Sequence, residues 1–178
     1  MRIVQLNEET RKNILEDLLK RDPNNYTAYE STVQEIVEDV RKNRDQALFA
    51  YTKKFDGADL DSSNIRVTEA EIQEAMSQVD PELLTVMKRA MKNIREYHEK
   101  QKQYSWFDSR PDGTLLGQKV TPLSSVGVYV PGGKAAYPSS VLMNIIPAEV
   151  AGVPRIVMVT PPDKNGNVNP VTLIAAHL

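Results

Sequence analysis

The chain has 178 residues, of which 40% are hydrophobic and 26% charged, and its net charge is −2 at neutral pH. That balance describes a soluble globular protein of one ordinary domain or two small ones, with no electrostatic pull toward DNA, RNA or an anionic membrane. There is no cysteine, which excludes disulfides, a thiolate nucleophile and Cys-rich zinc knuckles.

In chain order, residues 2–6 read as a short strand. Asn7 is placed to cap a first helix whose apolar stripe is Ile14, Leu15, Leu18 and Leu19. The N-terminal segment lacks the apolar core of a signal peptide, and no stretch is long enough to span a bilayer, so a cytoplasmic location is expected. Residues 21–29 read as a loop. One long helix is predicted over residues 31–55, with Ser31 and Gln34 as a capping box. Its apolar positions, Val33, Ile36, Val37, Val40, Ala47, Leu48 and Tyr51, recur at helical spacing. The Gly57 region closes it.

Ile65 and Val67 suggest a brief strand. Thr68 and Glu71 make a second capping box, followed by Ile72, Ala75, Met76 and Val79 on one face. Asp80 and Pro81 announce a further long helix, because proline at the first helical position loses no hydrogen bond. Leu83, Met87, Ala90, Met91, Ile94 and Tyr97 form its stripe, and the pattern runs to about Gln103. Trp106 and Phe107, next to Asp108, read as an apolar anchor at a junction. Before Tyr104 the chain is helical and charge-rich. From Thr114 it is strand-forming and richer in Gly, Pro and Val. The expected organisation is a helix-rich region with short strands over residues 1–122 and an α/β region over residues 123–178.

The most informative stretch spans residues 124–162. Residues 125–130 form a β-branched run that suits a buried strand. Pro131, Gly132 and Gly133 break it, since proline fixes φ and glycine permits positive φ. A helix follows from Pro138, with Val141, Leu142, Ile145 and Ile146 on one face and Pro147 as a possible kink. Gly152 and Pro154 end it, and residues 155–160 read as a second apolar strand. Strand, glycine turn, helix and strand make a βαβ unit, whose turn can bring backbone N–H groups to a ligand. A last helix starts at Asn169 and Pro170 and reaches only about two turns at Leu178. A βαβα pattern needs further strands to complete a parallel sheet, so the chain is expected to be an N-terminal piece of a longer fold.

Chemistry is sparse. The glycine turn is not a P-loop: Gly127 and Gly132 have the right spacing, but position 133 is Gly rather than Lys. Nor is it a GxGxxG turn, because its two glycines are adjacent. Tyr129 ends the first strand, where α/β proteins bind ligands, and its ring can stack on a flat ligand or pack at a domain edge. Ser139 and Ser140 at the next helix start can hold a phosphate or serve as plain caps. His98 suits the C-terminal end of its helix, and His177 lies in the last helix. No metal-ligand spacing, carboxylate pair or Ser–His–Asp arrangement emerges, so no catalytic or metal residue is assigned.

The run from Val126 to Val153 nevertheless resembles the NAD-binding region of histidinol dehydrogenases. The segments Phe55-Asp56-Gly57, residues 93–102 and residues 119–127 agree in order and spacing. The resemblance covers nearly the whole chain. It implies an incomplete Rossmann-like α/β fold akin to aldehyde dehydrogenases. It also implies oxidation of L-histidinol through L-histidinaldehyde to L-histidine with two NAD⁺, in a zinc-containing homodimer. Tyr129 matches the family's NAD-contacting tyrosine, with Pro131, Gly132 and Gly133 shaping that pocket. The zinc ligands and acid–base residues implied by the family fall beyond residue 178, so the chain by itself is expected to be inactive. Two alternatives stand beside this reading: a short non-catalytic binding or assembly module, and an NAD-dependent dehydrogenase of another amino alcohol.

Overall fold

The computed structural model describes residues 5, 7–12, 26–132 and 135–178. They fall into two compact units, Met1–Ala47 and Leu48–Leu178. In the first, residues 8–12 are helical and the Asn7 side chain accepts the Thr10 N–H at 2.8 Å, as its capping role requires. The stripe Ile14, Leu15, Leu18 and Leu19 lies outside the described residues, as does most of the expected strand at residues 2–6.

Helix α1 is Thr27–Asn43 and helix α2 is Asp45–Phe55. The single helix expected over residues 31–55 is therefore two. The break is Arg44, whose φ of 52° and ψ of −129° are left-handed and cannot continue a helix. Its N–H still closes α1 on the Val40 carbonyl, and Asp45 puts a negative charge in the first turn of α2. One interrupted residue leaves the apolar spacing in phase on both sides, which is why periodicity alone reads a continuous helix. The Ser31 capping box does not form either. Ser31 lies inside α1, and Gln34 instead donates to Glu38 Oε1 at 2.6 Å.

The second unit holds α3 (Glu69–Gln78), α4 (Pro81–Glu99), β1 (Trp106–Ser109), β2 (Leu115–Gln118), β3 (Val126–Tyr129), α5 (Pro138–Val150), β4 (Ile156–Val159) and α6 (Pro170–His177). No strand forms at Ile65 and Val67. The preceding residues make an Asp-centred turn in which Asp61 accepts the Ser63 N–H at 2.7 Å. The other start signals work as read. Thr68 and Glu71 form a complete capping box before α3. Asp80 accepts the Glu82 N–H at 2.8 Å ahead of Pro81 in α4. That helix stops at Glu99 rather than continuing to Gln103.

Strands β1 and β2 form an antiparallel hairpin, pairing Trp106 with Gln118 and Ser109 with Leu115. Every residue of it is exposed. Trp106 is 56% and Phe107 61% exposed, so they do not act as a packed anchor within this unit. Strands β3 and β4 pair in parallel, Val126 with Ile156 and Tyr129 with Val159. Helix α5 connects them and passes through Pro147 without ending. The β3–β4 pair buries one face only. Val126, Val128, Ile156 and Met158 are half-buried, whereas Gly127, Tyr129, Val157 and Val159 are exposed.

The core joins the helices of this unit. Met87 of α4, Val141, Leu142 and Ile146 of α5, Leu173 and Ile174 of α6, and Val130 at the end of β3 form one cluster with Ala75 of α3. Helix α5 packs on α4 and α6, and α3 packs on α6. The Arg95 guanidinium on α4 and the Glu149 carboxylate on α5 close the rim of that contact as an ion pair. The result is a mixed α/β unit in which a βαβ segment leans on a helical layer.

Candidate functional site

The carboxyl ends of two parallel strands are where an α/β unit presents a crevice. In this unit they open on a cleft of about 1140 Å³. Thr160, Pro161 and Pro162 follow β4 along one wall, Gly132 and Ala136 come from the β3–α5 connection, and Glu71, Glu74 and Gln78 of α3 form the opposite side. The floor is the start of α6, with Asn169, Pro170, Thr172 and Leu173.

Gly132 is the sequence-predicted residue that lines the cleft. Its lack of a side chain has a packing reason: a Cβ there would lie 2.8 Å from the Pro161 carbonyl oxygen and 3.2 Å from Thr160 Oγ1. Real Cβ contacts do not reach the first of these distances, so the glycine lets the two connections that leave the sheet touch. Tyr129 ends β3 on its open face and is 61% exposed. Pro131 is exposed beside it. Neither lines the cleft wall. Gly133 lies outside the described residues.

Ser139 and Ser140, read as either phosphate holders or plain caps, do not reach the cleft and do not cap the helix. Helix α5 begins at Tyr137 with no side-chain cap, and Ser139 faces solvent. The helix start that faces the cleft is that of α6. Asn169 caps it by accepting the Val171 N–H at 2.9 Å, and Thr172, 3% exposed, is a buried polar side chain. The apolar helix hides this threonine from pattern reading. Its one available signal was its place three residues after an Asn-Pro start.

Four acids line the cleft and two of them are bound into their own turns. Glu71 Oε2 accepts the Thr68 hydroxyl and the Thr68 N–H, both at 2.6 Å. These bonds, the hydroxyl's first, hold the Glu71 carboxyl below its ordinary range. Asp163 Oδ1 accepts the N–H groups of Asn167 and Asn165 at 2.8 Å each. The Asn167 bond leads in lowering that carboxyl, desolvation comes next in the opposite direction, and the bond from Asn165 adds to the lowering. Both are therefore ionised over the physiological range, each with one oxygen bonded to donors of its own turn.

His98 sits at the end of α4, with Nδ1 2.7 Å from Gln101 Oε1. Among the described residues no group of three His, Cys, Asp or Glu side chains gathers to hold a metal ion. The described residues thus do not fit a zinc site. No described helix is long and apolar enough to cross a membrane.

A parallel βαβ segment packed on helices defines a mixed α/β protein. Within that class the relatives are specific. The sequence model of histidinol dehydrogenase matches residues 19–178. The Bacillus subtilis (strain 168) histidinol dehydrogenase is 61% identical over 145 residues, 82% of this chain and 34% of its own length. That of Heliobacterium mobile is 58% identical over the same shares, and that of Halalkalibacterium halodurans is 49% identical over 99% of this chain. The crystal structure of histidinol dehydrogenase from Elizabethkingia anophelis superposes with a TM-score of 0.77 at 38% identity, covering 84% of this chain and 34% of that one. The chain belongs to the histidinol dehydrogenase family, a family of NAD-dependent oxidoreductases of histidine biosynthesis. It spans about a third of the length of most of the curated relatives it matches.

Proposed function

We propose that the chain forms the N-terminal third of a histidinol dehydrogenase and contributes its dinucleotide-facing βαβ segment. In this reading residues 1–122 are the helix-rich N-terminal region and residues 123–178 the first half of a Rossmann-like domain of aldehyde-dehydrogenase type. The whole enzyme oxidises L-histidinol through the aldehyde to L-histidine in the cytoplasm as a homo-oligomer, with neither nucleic acid nor membrane as partner. The observation that carries the reading is the family match over residues 19–178, together with identities near 60% to enzymes more than twice as long.

The chemistry assigned to this chain is binding and orientation. The Tyr129 ring at the mouth of β3 stacks on a flat ring of NAD, and Pro131, Gly132 and Gly133 shape the turn beneath it. NAD, when bound, accepts the hydride. The cleft keeps one side of the cofactor against protein, with the carboxyl ends of β3 and β4 behind it. Zinc and the acid–base groups are assigned to parts of the enzyme beyond this third.

The test joins this chain to the remaining two thirds of the Bacillus subtilis enzyme and follows NADH formation from L-histidinol, with zinc supplied. The chimera is expected to turn over and the 178-residue chain alone to be silent. Tyr129→Ala in the chimera is expected to raise KM for NAD about tenfold, the worth of one stacking contact, with KM for histidinol little changed. A folded chimera that binds NAD and leaves histidinol unoxidised would overturn the substrate assignment.

A further inference from the structure

Helix α6 starts in the lining of the cleft, and one N–H of its first turn is left for a ligand. Pro170 has no N–H, the Val171 N–H is taken by the Asn169 side chain, and the Leu173 N–H by the Asn169 carbonyl at 3.1 Å. The Thr172 N–H is left between them with no partner among the described residues. The Thr172 hydroxyl also makes no hydrogen bond among them, although the residue is only 3% exposed. Every described side-chain oxygen or nitrogen that is sealed from water has a partner. The Thr172 hydroxyl is therefore not sealed, and the surface it lines is the cleft.

One N–H and one hydroxyl of the same residue are thus left unpaired at a helix start, where an acceptor that enters the cleft can take both. The positive end of the helix dipole favours an anion there. Lys164 lines the same cleft and forms no ion pair with a described residue. Of the four acids nearby, Glu71 and Asp163 are turned onto their own backbone N–H donors. The other two, Glu74 on the facing helix and Asp56 just after α2, are the carboxylates that oppose an incoming negative charge.

We propose that the first turn of α6 is an oxyanion position, in which the Thr172 N–H and hydroxyl donate to a phosphate-type oxygen and Lys164 balances its charge. The oxygen belongs either to free phosphate or to the diphosphate of a bound dinucleotide. The position goes beyond the dinucleotide reading and does not require it.

The experiment titrates the ¹⁵N-labelled 178-residue chain separately with inorganic phosphate, pyrophosphate and NAD, following the Thr172 and Tyr129 amide resonances. Phosphate or pyrophosphate is expected to move the Thr172 amide. Thr172→Val, which keeps shape and removes the hydroxyl, is expected to weaken that binding about tenfold, the worth of one charge-assisted hydrogen bond, while Thr172→Ser retains it. Glu74→Gln is expected to strengthen it roughly twofold, the effect of removing one screened like charge. If NAD moves both amides, the oxyanion is the dinucleotide's. If phosphate moves Thr172 and NAD moves nothing, the oxyanion position stands and the dinucleotide reading falls. A Thr172 amide unmoved by all three, with Tyr129 still responding to NAD, overturns the oxyanion position and leaves the dinucleotide reading standing. Equal phosphate binding by Thr172→Val overturns it as well.

Discussion

The two helices that leave the parallel strands begin in opposite ways. Helix α5 starts from Tyr137 without a side-chain cap, with Ser139 in solvent. Helix α6 starts from Asn169 with a formed cap and puts Thr172 into the core side of the cleft. Both carry proline at the first position and both look, as strings, like helix starts able to greet a ligand. The difference is burial. A polar group in water is satisfied at no cost, so serines at an exposed start say little. Thr172 is 3% exposed and its hydroxyl opens only on the cleft, so only a group that enters the cleft can accept from it.

The contrast can be broken most severely through the core beneath α6. Ile174→Ala, at a fully buried position, is expected to cost about 2–5 kcal/mol in urea unfolding. Met143→Ala on α5, at a 52% exposed position, should stay within about 0.5 kcal/mol. Comparable losses at the two would mean that α5 and α6 do not share one core. Gly132→Ala forces a Cβ against the Pro161 carbonyl and is expected to cost about 1–3 kcal/mol, as overpacking does. An unchanged unfolding midpoint would show that the two connections are not in contact.

The caps sharpen the same contrast at smaller scale. Asn169→Ala is expected to cost about 1 kcal/mol, and Ser139→Ala about zero, since only the first removes a formed cap. The capping box of α3 adds a pH dependence. The Glu71 carboxyl is lowered in the folded state by the Thr68 hydroxyl and N–H, so its ionised form is the one that folding favours. Its contribution is therefore fully present above the unfolded carboxyl value and lost as pH falls through the lower folded value. Unfolding midpoints measured against pH should drop less steeply in acid for Glu71→Gln than for the parent chain. Smallest of all, Arg95→Ala removes an ion pair whose partners are both more than two-fifths exposed, worth at most about 1 kcal/mol and less at high salt.

Local signals in the chain were legible wherever they concerned neighbours in sequence. The Thr68 capping box, the Asp80-Pro81 and Asn169-Pro170 starts, and the strand–turn–helix–strand order of residues 125–160 all formed close to where they were read. Failures came where one residue outweighed a pattern, or where the deciding contact was distant. The left-handed Arg44 split a helix that periodicity joined. Five residues between strands made a hairpin from Trp106 onward, where composition showed only a change of texture, and that hairpin left Trp106 and Phe107 exposed. At the site, the motif drew attention to Tyr129 and to residues 131–133, and the glycine at 132 does reach the cleft. The serines that follow the motif do not.

By itself the sequence determined which family this chain belongs to and which segments become strand, turn and helix, because both rest on residue identities and on interactions within a few positions. Only the tertiary structure decided which helix start faces the crevice, and why position 132 must be glycine. Both depend on α3, α6 and the turn after β4 meeting across some ninety residues of chain, a packing outcome that no local pattern encodes.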